Sequence, residues 1–283
     1  MLHRFIILLV CTIGALTVPS AASAQSAGVD RTWLFGAGHS ALYDEYLSPL
    51  DYAGPSASIG MQNTRSTRWA NGLVTQLTQF EFAGAYAHSP GKNGSFYDGQ
   101  FTVGFGWFYH TALSAEHRCY LALGGLAEFS GGGTYSTRNG NNPAQGRAAF
   151  DVAPSAIFTY AFRAPRCLRI FSDEPNAVEP VEHHCRFRVQ LDVPLAGLMF
   201  SPQYGQSYYE LFSLGHYDHN VCFTYPVNAP SARLQATLHV PVSRSTRFVV
   251  GYRGEARQSQ VNHLGRHAWQ NGVVVGFTRE LKF

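Results

Sequence analysis

A set of ionisable side chains recurs at alternate positions of otherwise apolar segments, and the set mixes acids with bases. Alternate residues of a β-strand point to the same face, so these side chains are predicted to share one enclosed face. Enclosed charges are costly unless they are paired, and they otherwise mark functional sites. The mixture of signs favours a self-neutralising network of salt bridges over a catalytic site. The set comprises Glu81, Glu128, Asp151, Arg186, Arg188, Asp192, Arg233, Arg253, Glu255, Arg257, Glu280 and Lys282.

A second candidate site is the run at 216–219, where His216 and His219 lie on either side of Asp218. An imidazole beside a carboxylate can act as a general base or bind a metal. A loop rich in Tyr and His is also ordinary at a membrane surface. Three further acids are expected at the same end of the molecule: Asp44, Asp51 and Asp98.

Two weaker motifs are the dipeptide His39-Ser40 and the glycine pairs at 36 and 38 and at 104 and 106. Adjacent strand residues face opposite sides, so His39 and Ser40 cannot enter one site without a bulge. The glycines have no following helix, which a phosphate-binding loop requires, and we interpret them as room for large neighbours. No zinc-type Cys and His spacing occurs. We therefore predict neither a metal nor an organic cofactor.

The elements that position these residues are strands. In residues 186–195, Phe187, Val189 and Leu191 alternate with Arg188 and Gln190. A period of two is typical of a strand with one apolar and one polar face, whereas an amphipathic helix repeats every 3.6 residues. The same pattern recurs at 101–110, 150–162, 232–240 and 248–257. The sequence therefore predicts an all-β fold.

The segments number about ten, and their links alternate between short and long, as in transmembrane barrels. We predict an antiparallel up-and-down transmembrane β-barrel with both termini in the periplasm. A barrel of this size is narrow enough to be filled by side chains, which argues against a wide pore. The strands are predicted at 33–44, 53–69, 74–87, 96–113, 118–134, 146–162, 185–201, 221–242, 247–260 and 269–283. The longer links are predicted at 45–52, 88–94, 137–146, 203–220 and 261–267.

Residues 1–24 have the order of a secretory signal peptide. A basic start precedes an apolar run at 5–18, and an A-x-A cleavage site follows at 22–24. The apolar run is shorter than the roughly 20 residues of a membrane helix, and the large residues before Cys11 exclude a lipoprotein. The predicted mature chain, 25–283, has no long apolar run, so any crossing of a membrane must be by strands.

Composition agrees with strands that face lipid. The chain is 14% charged and 14% aromatic, with 28 glycines, whereas soluble domains are roughly 25% charged. Abundant aromatic residues are typical of the girdles of membrane barrels, so membrane lipid is the expected partner. The net charge of +3 is too small to indicate nucleic-acid binding.

One predicted link, at 163–184, is long although it lies on the expected periplasmic side. It contains several prolines and acidic residues, and we interpret it as an extended periplasmic turn. Cys167 and Cys185 flank it, so a disulfide that closes this turn and a pair of free thiols are both open.

The chain ends on an apolar strand face. Phe277, Leu281 and Phe283 share this face with the valines at 273 and 275, and Arg279 interrupts it. A terminal Phe after alternating apolar residues resembles the signal that the outer-membrane barrel-assembly machinery recognises. With the leader and the strands, it makes the chain resemble uncharacterised outer-membrane β-barrels of Gram-negative bacteria, of about ten strands, grouped as domains of unknown function. This resemblance implies a fold and a location, and it implies no catalytic residues.

Three function classes remain open. The first is a barrel with a structural, binding or adhesion role and a filled lumen, whose ligand the sequence does not identify. The second is a surface hydrolase, since ten-stranded outer-membrane proteases use acids and an Asp/His pair at the barrel mouth, although the spacing here differs. The pair His39-Ser40 likewise resembles the His and Ser of outer-membrane lipid A deacylases. The third is a narrow solute channel.

Overall fold

The computed structural model describes residues 28–113, 118–140, 142–165, 184–217, 219–243 and 245–282. The strands are β1 (Gly28–Asp44), β2 (Ser48–Ser66), β3 (Val74–His88), β4 (Ser95–Ala112), β5 (Cys119–Ser136), β6 (Ala144–Arg163), β7 (His184–Asp192), β8 (Ala196–Phe200), β9 (Val221–Thr224), β10 (Ser231–Pro241), β11 (Thr246–Val261) and β12 (Leu264–Lys282). A 3-10 turn (Trp69–Gly72) and a short helix, α1 (Tyr208–Phe212), lie in the connections. The predicted signal peptide and most of the predicted periplasmic turn lie outside the described residues.

The strands form one closed antiparallel sheet. Strand β1 pairs with β12 along its whole length, and β5 pairs with β6, which closes the barrel. Strands β7 and β8 pair with successive parts of β6, while β10 pairs with β7 and β9 pairs with β8. Counting β7–β8 and β9–β10 as two interrupted strands gives ten, so the predicted all-β barrel is confirmed. The periplasmic placement of the termini stays a prediction.

None of the helices formed by the described residues has the length and apolarity needed to cross a membrane.

The outer face of the barrel is apolar and the inner face is mixed. In β4, Phe101 and Val103 are exposed, and Thr102 between them is buried. In β7, Leu191 is exposed while Gln190 and Asp192 are buried. This is the alternation that the sequence predicts, and it follows from the pleat of a strand. Apolar clusters fill the interior toward either end, and they comprise Leu77, Phe108, Ala122, Leu126, Ala153 and Ile157 at one end and Leu42, Leu47, Tyr52, Ala87 and Phe96 at the other.

Two predicted strands are each broken into two. The predicted strand at 185–201 is interrupted at 193–195, and the one at 221–242 is interrupted at 225–230. Proline has no N–H to donate to a neighbouring strand, and Pro194, Pro226 and Pro230 lie in these interruptions. The prediction of one continuous strand in each place was therefore wrong.

Two predicted long links are tight turns. Strand β11 reaches Val261, which pairs with Leu264, so the connection is the two-residue turn Asn262-His263. Both turn residues have positive φ, 52° and 59°, as a two-residue hairpin turn of the I′ type requires. Strand β2 likewise begins at Ser48, directly after the turn that follows Asp44. The prediction missed the turn at 262–263 because most strand residues beside it, at 257–260 and 265–267, are polar.

Candidate functional site in the barrel interior

The centre of the interior is an ion-pair network that spans the bore. The Nε of Arg233 on β10 donates to Asp192 Oδ2 at 2.9 Å, and its Nη2 donates to Glu128 Oε2 at 2.5 Å. Asp192 is its direct neighbour on β7, whereas Glu128 lies on β5, which does not pair with β10. All three residues are buried. One guanidinium therefore connects two strands that β6 and β7 separate in the wall.

Strand β11 contributes the alternating series Arg253, Glu255 and Arg257. Glu255 lies between the two guanidiniums, with Arg253 Nη2 at 2.9 Å from its Oε2 and Arg257 in contact with its Oε1. Arg257 also donates to Glu128 Oε1 at 3.0 Å, and Arg253 pairs with Glu81 on β3. The structure thus joins these residues in one network with Arg233.

Neutral amides and a hydroxyl occupy remaining hydrogen-bonding positions of the carboxylates. Gln79 Nε2 donates to Glu128 at 3.4 Å, and Gln190 Nε2 donates to both oxygens of Asp192 at 3.0 and 3.1 Å. Ser155 also donates to Asp192. A buried ion pair offsets its desolvation only when its other lone pairs and protons are satisfied. These contacts satisfy the carboxylates, whereas the Nε of Arg253 is buried without a hydrogen-bond partner.

The remaining residues of the predicted set are placed differently. Arg188 is inside the bore, where it donates to Gln190 at 3.1 Å. Arg186 shares the inward face of β7, has 45% of its side chain exposed and lies 3.6 Å from Asp30, so it pairs at the solvent-open end of the bore and not with the central network. Glu280 is half-buried near the same end, and the side chain of Lys282 is outside the described part. Asp151 lines a small cavity with Arg257.

A second ion-pair cluster lies toward the end of the barrel away from the termini. Arg147 is 2.6 Å from Asp98, and Arg266 is 3.6 Å from Asp44 and 4.0 Å from Asp98. Sequence reasoning considered the two aspartates only as candidate hydrolase acids and missed both arginines. The sequence does contain a signal for Arg147. Positions 147 and 151 lie an even number of positions apart on β6, so their side chains point to the same face of the strand.

Two tyrosines cover this second cluster. Tyr208 of α1 accepts from the Gly146 N–H at 2.5 Å and donates to the Gly146 carbonyl at 3.1 Å. The ring of Tyr46 packs edge-on against Tyr208, with centroids 5.7 Å apart, and its buried hydroxyl has no hydrogen-bond partner. Desolvation, with smaller contributions from Tyr208, Asp44 and Glu210, raises the pKa of Tyr46 to about 12.

Helix α1 is held by a capping box. The side chain of Ser207 accepts from the Glu210 N–H at 3.2 Å, and Glu210 Oε2 accepts from the Ser207 N–H at 2.6 Å. Hydrogen bonds from Ser207 lower the pKa of Glu210. The loop therefore holds Tyr208 over the barrel end.

The space left in the bore is small. Between the glutamines and Arg233 lies a cavity of 20 Å³, and beside Arg253 and Glu255 lies one of 40 Å³. A single water needs about 10–15 Å³ of such volume, so these cavities hold a few waters at most. The charged side chains fill the bore at this level.

The predicted histidine site is not assembled by the described residues. His216 and His219 are exposed, and Asp218 lies outside the described part. No hydrogen bond or ion pair between described residues joins either histidine side chain to the three acids considered with them. Asp44 and Asp98 pair with arginines, and Asp51 lies 3.0 Å from His267. Among the described residues, no group of His, Cys, Asp and Glu is arranged to hold a metal.

Several other predicted positions can be located. His39 faces outward and Ser40 inward, where it donates to the Trp269 carbonyl at 3.3 Å, so they do not share a site. Phe277 is exposed on the outer face and Leu281 is half-buried, whereas Phe283 lies outside the described part. Cys185 is buried, and no disulfide joins described residues. Cys167 lies outside the described part, so its pairing with Cys185 stays a prediction.

Comparison with known proteins agrees with this architecture. The sequence profile of a family described as "Protein of unknown function (DUF3316)" matches residues 4–283. No curated protein matches the chain by sequence at a significant level. Among solved structures, the outer membrane protease OmpT from Escherichia coli has a TM-score of 0.52 at 10% identity, over 93% of this chain and 100% of that chain.

Other similar structures are more distant. Neisserial surface protein A has a TM-score of 0.32 at 7% identity, over 90% of this chain and 97% of that chain. An outer membrane channel from Pseudomonas putida F1 has a TM-score of 0.37 at 8% identity, over 94% and 99%. The likeness to the protease is one of barrel fold alone.

Proposed function

The chain belongs to the DUF3316 family of unknown function, and we propose that it is an integral outer-membrane barrel with a closed bore that acts by binding. The observation that carries this proposal is the network joining Arg233, Glu128, Arg257 and Glu255 across the interior. A channel needs a continuous wet path, and here the path would cross this network. Breaking a buried ion pair costs about 3–5 kcal/mol, so spontaneous opening is rare.

The outer face supports placement in a membrane. Phe101, Trp107, Phe129 and Phe150 are exposed on neighbouring strands, and a continuous apolar face of this kind is unfavourable in water. The predicted leader at 1–24 supports export, and together they favour the outer membrane. Fractionation tests this: the folded protein is expected in the outer-membrane fraction, with heat-dependent mobility on a gel. Recovery in the soluble periplasm would overturn the proposal.

Conductance tests the closed bore. The folded protein in planar lipid bilayers is expected to give no discrete current steps. A triple variant, Glu128→Ala with Arg233→Ala and Arg257→Ala, removes the crossing side chains and is expected to conduct. A matched control, Leu234→Ala on the outer face, is expected to stay silent. Discrete steps from the unmodified protein would overturn the closed-bore proposal and favour a channel.

We also propose the terminal face of β12 as the assembly signal. Deleting Phe283 removes the last apolar side chain of the series that contains Phe277 and Leu281. The amount inserted in the outer membrane is then expected to fall while export to the periplasm continues. Unchanged insertion would contradict this role.

A further inference from the structure

The wall of the barrel is unbridged at one place, which we call the seam. It lies between residues 193–196 and residues 225–232. The last cross-strand pair at one end of the seam is Asp192 with Arg233, and the first pair at its other end is Gly197 with Thr224. Within the described part of the chain, no backbone hydrogen bond joins the two edges. The proline at 194 on one edge, and those at 226 and 230 on the other, cannot donate one.

Each edge of the seam is held from its other side. The N–H groups of Val193 and Leu195 donate to carbonyls of β6 at 3.1 and 3.0 Å. On the opposite edge, the carbonyls of Asn228 and Pro230 accept from β11 at 2.7 and 3.1 Å. The Ala229 N–H donates back to the Tyr225 carbonyl at 2.8 Å, which closes the intervening loop on itself. Both edges of the seam are therefore fixed by bonds to their own neighbours, with no backbone bond between them in the described part of the chain.

A cavity of 60 Å³ lies behind the seam. It is lined by Pro194 and Ser231 from the two edges and by Asp151 from the interior. Thr224 also lines it, and its hydroxyl is buried without a hydrogen-bond partner. A Cβ at Gly197 would collide with the Asp151 carboxylate and lie 2.8 Å from Thr224 Oγ1. The glycine thus preserves space in front of both polar groups.

Two polar groups of this cavity have no hydrogen-bond partner among the described residues: the carboxylate of Asp151 and the hydroxyl of Thr224. Arg257, Arg147 and Arg266 also line it, but each pairs with acids of the two networks already described. Within the described part of the chain, no hydrogen bond or ion pair engages the carboxylate of Asp151. A head group that donates hydrogen bonds, such as a hydroxyl or an ammonium, can pair with the Asp151 carboxylate and with Thr224, whereas a carboxylate would face the like charge of Asp151.

The outside of the seam is apolar. Leu195 and Leu198 are each 49% exposed on one edge, and Phe223 and Val227 are 60% and 83% exposed on the other. On the adjoining strand β6, Phe150 pairs with Leu198 and is also exposed. The seam therefore opens onto the face that meets lipid if the protein spans the membrane.

We propose that the seam binds a single-chain amphiphile from the membrane, whose small hydroxyl or ammonium head enters the cavity at Asp151 and Thr224. The alkyl chain remains outside, against Leu198 and Phe223. The volume of 60 Å³ corresponds to about four to six waters, which is room for a small head group. This inference rests on the proposed function, since it needs the outer face to meet lipid.

Binding to the protein in lipid nanodiscs tests the inference. The probes are dodecylamine, dodecan-1-ol and dodecanoate, which share a chain length and differ in the head. Both donor heads are expected to bind, and dodecanoate is expected to bind at least about tenfold more weakly, the effect of a lost hydrogen bond to a charged group. Equal binding of all three would overturn the assignment of a donor head.

Substitutions of residues around the cavity test where the amphiphile binds. Asp151→Asn is expected to weaken dodecylamine about tenfold, and Thr224→Val is expected to weaken dodecan-1-ol more than dodecylamine. Gly197→Ala fills the cavity and is expected to abolish both. Thr237→Val, a buried threonine of β10 away from the cavity, is the matched control and is expected to bind normally.

A disulfide crosslink tests the site even if the substitutions in the cavity prevent folding. Pro194→Cys with Ser231→Cys places two thiols across the seam, and oxidation is expected to block binding reversibly while heat-dependent mobility shows an intact barrel. Normal binding by the oxidised protein and by Asp151→Asn would overturn the seam site. The closed-bore proposal would fail separately, through conductance of the unmodified protein.

Discussion

One side of the barrel is continuous and the other is interrupted. Strands β1, β11 and β12 pair without a break over most of their length, while β7–β8 and β9–β10 are both broken at the seam. The last pair below the break, Arg233 with Asp192, is also an ion pair of the central network. Where backbone pairing between these strands ends, side-chain pairing is therefore present: Arg233 binds Asp192 on the neighbouring strand and Glu128 on β5.

The substitution expected to lower the free energy of unfolding most is one that removes Glu128, which pairs with arginines on two other strands. Glu128→Ala leaves both Arg233 and Arg257 without one of their carboxylates, so we expect the free energy of unfolding to fall by about 3–5 kcal/mol. Urea unfolding in liposomes measures it. Glu280→Ala, half-buried near the end of the barrel, is the control with a small expected effect. A loss for Glu128→Ala no larger than for this control would contradict the role of the network.

The next effect compares the outer faces. Val250→Arg on the continuous side is expected to cost about 2–4 kcal/mol, because it places a charge near the bilayer midplane. Leu198→Arg at the seam is expected to cost less, since its guanidinium can reach Asp151 through the opening. The same unfolding measurement gives both values. Equal costs would show that the seam is as closed to lipid as the continuous side.

A smaller effect is expected inside the continuous side. Glu255→Gln weakens hydrogen bonds to Arg253 and Arg257, which keep Glu81 and Glu128 as partners, so we expect a loss of about 1.5–3 kcal/mol. Adding Arg253→Gln to Glu255→Gln is expected to recover part of the lost free energy of unfolding. Adding Arg253→Gln to Val250→Arg is not expected to recover any. A silent Glu255→Gln would indicate a wet bore and favour a channel.

The smallest effect concerns the cover over the barrel end. The pKa of Tyr46 is raised to about 12, against about 10 in an unfolded chain. The folded state therefore keeps the proton that the unfolded state loses, and this stability is present below pH 10 and lost as the pH rises toward 12. Ultraviolet titration of tyrosinate is expected to show a late transition that Tyr46→Phe removes. Persistence of this transition in the variant would assign it to another tyrosine.

Alternation predicted the strands well because each strand shows one face to the core and one outward. It failed at the seam because Leu191, Val193 and Leu195 alternate straight through Pro194. The face then shifts, since Leu195 and Leu198 are both exposed although three residues apart. No single-strand pattern contains that shift, which depends on how β6 pairs with both halves.

The alternation of residues along each strand predicted which charged side chains face the interior. It did not predict which of them pair with one another. Sequence spacing places Arg253, Glu255 and Arg257 on one face, and the structure joins them. The bonds from Arg233 and Arg257 to Glu128 connect strands that are not neighbours in the sheet, so they depend on the diameter of the barrel. Arg266 was missed because β12 begins at Leu264, before the predicted start at 269, whereas Arg147 lies inside the predicted strand and its shared face with Asp151 was overlooked.

The acidic and basic partners of the ion pairs across the bore come from different parts of the chain. Glu81, Asp98 and Glu128 come early in the chain, and the arginines that meet them at 147, 233, 253, 257 and 266 come later. Each of these carboxylates therefore depends on an arginine from a later part of the chain, and strands β10 to β12 supply four of the five arginines. The charge balance of the interior is thus non-local in sequence, and it is complete only when the strands that close the sheet are in place.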